Sequence, residues 1–155
     1  MTAVAADPEC AGTMELIERS ITVGDGTDYA WDGQIDGLGL PDIRNNDVDK
    51  GHADGATGQH DFYAVRTITM PVSIAPATGE SVTRAQLWAR WLTLKAAWAK
   101  QGDGTDLTLE HTEVGYVTQY LGRPNGCTLN DLEWRRGMNV LHVLLSFRCP
   151  DPTEY

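Results

Sequence analysis

Residues 83–101 read TRAQLWARWLTLKAAWAKQ, and this stretch decides the fold, because it is the one convincing helix in a chain of strand and turn patterns. Leu87, Trp91, Leu94 and Trp98 recur at spacings of four, three and four, which stacks them along one side. Trp88, Leu92 and Ala96 widen that predicted stripe, while Arg84, Arg90, Lys95 and Lys100 fall mostly elsewhere. Thr83 followed three residues later by Gln86 is a capping-box start, and Gly102 is the predicted stop. At ~1.5 Å per residue the helix is roughly 28 Å long, enough to lie across a small sheet. Three Trp residues on one helix need a broad apolar partner. Covering a β-sheet explains the stripe better than lining a ligand groove or a sugar-stacking platform.

The 155 residues suffice for one domain with a real core. Against 12 basic side chains stand 22 acidic ones, and a formal charge of -10 argues against a surface that grips nucleic acid. Three cysteines, Cys10, Cys127 and Cys149, are an odd number without metal-ligand spacing, which points to folding in a reducing cytoplasm. The opening MTAVAADPECAG lacks the basic start and apolar run of a signal peptide. No run approaches the ~20 apolar residues of a membrane span.

Residues 1–13 read as a flexible N-terminal arm, and 14–155 as the folded domain. A first strand is predicted over 14–23, a turn at Gly24-Asp25-Gly26-Thr27-Asp28, and a short strand over 29–35 with a bulge at Gly33. Residues 45–61, NNDVDKGHADGATGQHD, hold one sizeable aliphatic side chain, Val48, and so read as a long exposed loop that orders against an external partner or is a plain insertion. The next strand covers 62–74, with Ile68, Met70, Val72 and Ile74 on one face and Pro71 marking an edge or bulge. After the helix come strands at 107–110 and 116–121, a turn at Gly122-Arg123-Pro124-Asn125-Gly126, a strand over 127–134, a turn at Arg135-Arg136-Gly137 and a final strand over 140–149. That last strand alternates most regularly, through Leu141, Val143, Leu145, Phe147 and Cys149. The predicted class is mainly β with one long helix, an antiparallel β-sandwich or partly open barrel flanked by the α-helix.

Several segments together resemble the N-terminal domain of the distal tail protein of long-tailed bacteriophages with non-contractile tails. They are Leu38-Gly39-Leu40-Pro41-Asp42-Ile43-Arg44 before the Gly- and Asp-rich loop, Arg66-Thr67-Ile68-Thr69-Met70 before the helix, Tyr120-Leu121-Gly122-Arg123-Pro124, and the last strand stopping at Cys149-Pro150-Asp151-Pro152-Thr153-Glu154-Tyr155. The resemblance implies a β-sandwich with an added helix, six copies of which form a ring between the tail-tube protein and the tail hub or tip protein. In that family an extended loop or arm embraces the neighbouring copy. The resemblance makes residues 45–61 the candidate arm, with Asn45, Asp47, Val48, Lys50, His52, Asp54 and His60 as interface residues. It also implies a place in the virion tail tip, assembly in the bacterial host cytoplasm, and genomic DNA passing through the lumen without specific binding. An acidic lumen suits that passage, with Asp103, Asp106, Glu110 and Glu113 as candidates, although acidity equally serves solubility. A second, often carbohydrate-binding-like domain can follow the Asp-Pro junction in this family.

Reaction chemistry is sparse. His52, His60, Asp54 and Asp61 cluster in the loop, but a metal site needs fixed geometry that this composition does not supply. Asp47 and Asp49 begin like a calcium loop, and Gly51 and His52 then break the pattern. His111 with Glu113, and His142, are the remaining acid-base candidates; His142 points away from the Leu141 and Val143 face. No nucleophile elbow, zinc-protease helix, phosphate loop or dinucleotide fingerprint occurs, so the expectation is a non-enzymatic structural subunit without cofactor or metal. The alternatives are a tail-tube subunit of the same phage tail and, from another class, a small carbohydrate-binding module for host attachment.

Overall fold

A computed structural model describes residues 12–44, 48–49, 51, 56–57, 62–76, 82–132, 140–151 and 154–155. The chain opens with a hairpin, β1 (Thr13–Leu16) and β2 (Ile21–Gly24), in place of the single strand expected over 14–23. A 3-10 turn at Ile17–Arg19 ends on Ser20, whose left-handed φ of 52° helps reverse the chain. This explains the imperfect alternation, since Leu16, Ile21 and Val23 are buried while Ile17 is exposed in the turn. Thr13 already pairs with Gly24 and Thr112, so the sheet begins at the end of the expected arm; residues 1–11 lie outside the described residues.

The following elements are β3 (Tyr29–Trp31), β4 (Ile43–Arg44), β5 (Val48–Asp49), β6 (Ala56–Thr57), β7 (Phe62–Tyr63), β8 (Arg66–Ile74), α1 (Arg84–Ala97), β9 (Leu107–Glu113), β10 (Tyr116–Leu132) and β11 (Leu141–Cys149). Seven strands form one antiparallel sheet in the order β2-β1-β9-β10-β11-β8-β3. Its two edge strands, β2 and β3, are consecutive in sequence and approach each other, and the Trp31 indole N–H on β3 donates to the Gly12 carbonyl just before β1 at 2.8 Å. The sheet thereby curls into a nearly closed barrel flanked by α1, the partly open barrel that the strand pattern predicts.

Pro71 lies just past the last β3–β8 pair, Trp31 with Val72, where it can accept a bond from the neighbouring chain but has no N–H to return one. The Asp32 amide donates to the Pro71 carbonyl at 3.0 Å, and the chain rejoins β8 at Asp36, which exchanges hydrogen bonds of 2.9 and 3.0 Å with Thr69. Between these points Gly33 passes over the proline ring, whose Cγ lies 3.2 Å from where a Cβ would stand. The expected irregularity is therefore present, just beyond the end of β3.

The segment Gly122 to Gly126 is not a chain-reversing turn. It lies within β10, a 17-residue strand that pairs with β9 over its first part and with β11 over its second. A strand that changes partners must bend, and Pro and Gly supply the bend as readily as a turn. The register shifts between Pro124 and Gly126 and again between Leu129 and Asp131. At Gly122 the crossing is so close that a Cβ would lie 2.2 Å from the Arg148 carbonyl oxygen. The turn expected at Arg135-Arg136-Gly137 lies outside the described residues.

The helix begins as its sequence predicts. The Thr83 side chain accepts from the Gln86 amide, and the Gln86 side chain accepts from the Thr83 amide. It ends earlier than Gly102, at Ala97, and just past that end the Arg19 guanidinium donates to the Ala97 and Ala99 carbonyls, placing a cation at the negative end of the helix dipole. Leu87, Trp91, Leu94 and Trp98 are buried in one core with Ile68, Met70, Val72, Ile74, Leu141, Val143, Leu145, Phe147 and Cys149. The Trp98 ring meets Phe147 edge-on at 6.2 Å and donates its N–H to the Ser146 carbonyl at 3.0 Å. Trp88, Leu92 and Ala96 are exposed, so the stripe is narrower than predicted and ends at the barrel rim.

Two substitutions test this packing. Trp91→Ala should cost ~3–5 kcal/mol in urea unfolding, whereas a near-neutral result would mean that the ring packs on a ligand or another subunit. Gly122→Ala should cost about 2 kcal/mol or more by overpacking against the Arg148 backbone. Gly126→Ala, where the added Cβ meets only the Ser146 Cβ at 3.7 Å, should stay within about 0.5 kcal/mol of the parent.

Candidate assembly surface

Residues 45–61 do not form a structureless loop throughout. Ile43 and Arg44 pair with Tyr63 and Phe62, and Val48 and Asp49 pair with Thr57 and Ala56, all antiparallel. The described residues on either side of Gly51 thus pair antiparallel, two by two. Of the expected arm residues, Val48 falls in β5; Asn45, Asp47, Lys50, His52, Asp54 and His60 lie outside the described residues, as does Asp61. Around the β4–β7 pair Leu40, 82% exposed, stands with exposed Ile43, Tyr63 and Val65. These four large apolar side chains face water and make a candidate contact surface.

Beside them Arg66, buried to 4% exposure, lines a cleft of about 360 Å3 with Gly37, Leu40, Pro41 and Asp42. Its Nη1 donates to the Glu154 carboxylate at 2.8 Å and to the Gly37 carbonyl at 3.3 Å, and its guanidinium lies 5.1 Å from the Tyr120 ring centre. A buried guanidinium needs such a counter-ion and aromatic face. Burial pushes the Tyr120 hydroxyl above its ordinary pKa, with Glu154 adding to the effect and Arg66 opposing it.

The tip between β9 and β10 is a second exposed region. Val114 and Gly115 both have positive φ, 48° and 80°, which makes a two-residue hairpin turn. Asn or Asp suits the first of these positions; a β-branched valine there is strained. Val114 is 65% exposed and so gains little burial in return, and Tyr116 and Val117 are exposed beside it. They border a cleft of about 380 Å3 that includes His111, Glu113 and Thr118. The His111 Nε2 is 3.4 Å from the Glu113 carboxylate, within ion-pair range but not aligned as a hydrogen bond, and is buried without another partner. Burial lowers the His111 pKa and Glu113 only partly opposes it, so the imidazole is mainly neutral at pH 7.

The other chemical candidates are separated. His142 lies on the outer face of β11 and its Nδ1 contacts the Asp32 carboxylate. Burial pushes the Cys127 and Cys149 thiols up to about 11, which leaves them protonated; Cys10 is outside the described residues. Among the described residues no three His, Cys, Asp or Glu side chains converge on a metal-sized site, and no helix is long and apolar enough to cross a membrane. Of the acidic candidates, Asp106 meets Arg123 at 3.2 Å, Glu110 accepts from Gln119 at 2.9 Å, Glu113 faces His111, and Asp103 is exposed. Glu110 also stands opposite Glu15 across β1 and β9. Neither that like-charge pair nor the strained hairpin tip was marked in the sequence, although Val114-Gly115 between two alternating strands is a readable signal for a tight turn.

No protein-family model and no curated protein matches this sequence. Among solved structures, the chain is similar to SPP1 Dit (gp 19.1), a paradigm of the hub adsorption apparatus in phages that infect Gram-positive bacteria, with 18% identity and a TM-score of 0.59. The match covers 92% of this chain and 51% of that one, so the chain spans about half the length of its structural relative. The likeness is one of fold.

Proposed function

We propose that this chain is a structural subunit of a phage tail tip, six copies of which close into a ring joining the tail tube to the tip hub. The observation that carries the reading is the fold shared with SPP1 Dit over nearly the whole chain. Two surface features support it: the exposed apolar side chains around the β4–β7 pair, and the hairpin tip where Val114 is strained and exposed. Both fit a protein whose stability is completed by neighbours. In this reading the residues between Asn45 and Asp61 are the arm that reaches the adjacent copy. The partners are other copies, the tube protein and the hub protein, and genomic DNA passes without being held. The charge of -10 and the Glu15–Glu110 pair on the outer sheet face suit a wall that repels a polyanion. The subunit does its work by contact, with no bond made or broken, at the distal end of the virion tail.

Native mass measurement of the purified chain should find a discrete hexamer, and deletion of residues 50–58 should leave the fold intact while lowering ring assembly. Open-ended tubes would favour a tube subunit, and a monomer with glycan-dependent Trp fluorescence a carbohydrate module. Val114→Asn should relieve the left-handed valine and stabilise the isolated subunit by about 1 kcal/mol. The same variant should weaken assembly if the valine tip meets a neighbour, and unchanged assembly would remove the tip from the interface.

A further inference from the structure

The outer edge of β10 over residues 116–121 reads YVTQYL, six residues with no charge, no proline and no glycine. Such a segment is a template for pairing with another strand wherever its edge is open. β9 covers one side of it, while β11 pairs only from Arg123 onward. On the open side, among the described residues, one backbone unit is docked: the Gln119 amide donates to the Tyr155 carbonyl at 2.8 Å, and the Tyr155 amide donates to the Gln119 carbonyl at 3.0 Å. Two residues that exchange both bonds are an antiparallel β pair.

This contact is anchored on both sides. Glu154 reaches across to Arg66, whose side chain is 3% exposed and lies over the ring of Tyr120 on the strand being covered. The Tyr155 hydroxyl donates to the Asp151 carboxylate at 2.7 Å, closing the segment on itself. Gln119 lies opposite Glu110 in the ladder with β9, and strand alternation turns its backbone polar groups, with those of Val117 and Leu121, toward the open edge.

We infer that Glu154 and Tyr155 form a strap that guards the β10 edge: Tyr155 occupies the hydrogen-bonding groups of Gln119, Arg66 holds the strap through Glu154, and release of the strap exposes the edge for pairing with a strand from a second copy of this chain. The inference does not rest on the tail-ring reading, because it concerns an edge and its cover within a single chain. The device is reversible, since no covalent bond holds the strap. Glu154 is 44% exposed, so solvent or a competing carboxylate can reach the ion pair that retains it.

The test compares the full chain with Glu154→Gln and with a chain ending at Asp151, using hydrogen exchange of the Gln119 amide and sedimentation velocity. Release should speed Gln119 exchange at least 10-fold in both variants while the amides of β8 and β11 keep their protection, which controls for misfolding. The shortened chain should form species larger than any the full chain forms at the same concentration. Adding Gln119→Pro, which removes an edge donor but no bond to β9, should abolish that gain. Unchanged Gln119 exchange in the shortened chain would overturn the strap, and faster exchange without added self-association would overturn its role as a guard.

Discussion

The burial of one helix face against the apolar face of a curled sheet is the constraint on which the rest of the structure depends. Four side chains, Leu87, Trp91, Leu94 and Trp98, carry it, and they meet the inward faces of β8 and β11. Trp98 shows why the fit is specific: its ring packs against Phe147 while its N–H is satisfied by the backbone beside that residue. The remaining ties are polar and directional. Tyr29 donates to the Arg90 carbonyl from the sheet edge, and Arg19 closes the helix end from the first hairpin. Elements far apart in sequence are thus referenced to one helix, and the barrel needs no complete ring of strand pairing to hold its shape.

With the core secured in this way, the features that make poor sense in an isolated subunit lie at the periphery. Exposed Leu40, Ile43, Tyr63 and Val65 stand in water around the β4–β7 pair, the β9–β10 turn holds a valine in a conformation suited to asparagine, and among the described residues one residue, Tyr155, bonds the open edge of β10. Each costs stability or solubility that the core supplies, and each supports the proposed use of these surfaces by other chains. The buried His111 is mainly neutral, the two described thiols are protonated, and His142 is engaged with Asp32, so these described groups lie apart in the fold.

The sequence was most legible where local chemistry and tertiary packing agree. Thr83 and Gln86 announce a helix start that depends only on each other, and the alternation of β11 reports a strand with one face in the core. Pro71 and Gly33 announce an irregularity and occur together at one. It was less legible where one local signal serves two geometries. Gly122 to Gly126 has the residues of a turn, yet they bend a continuous strand at the place where it changes partners, a distinction that depends on β9 and β11. Ser20 carries no glycine-like mark for the reversal after the first strand. Trp88 and Leu92 looked like core because periodicity does not report where a barrel rim falls. The surface was hardest to read: the Arg66 anchor is defined by Glu154, 88 residues away, and no local pattern links them.

The proposed role, a building block that acts through its contact surfaces, is supported by the likeness in fold to SPP1 Dit. The most direct measurement is an image of the assembled phage particle with this chain labelled. The account predicts label at the distal end of the tail tube, six copies around the channel, with residues 43–63 against the adjacent copy. Label spread along the tube, or absent from the particle altogether, would contradict it.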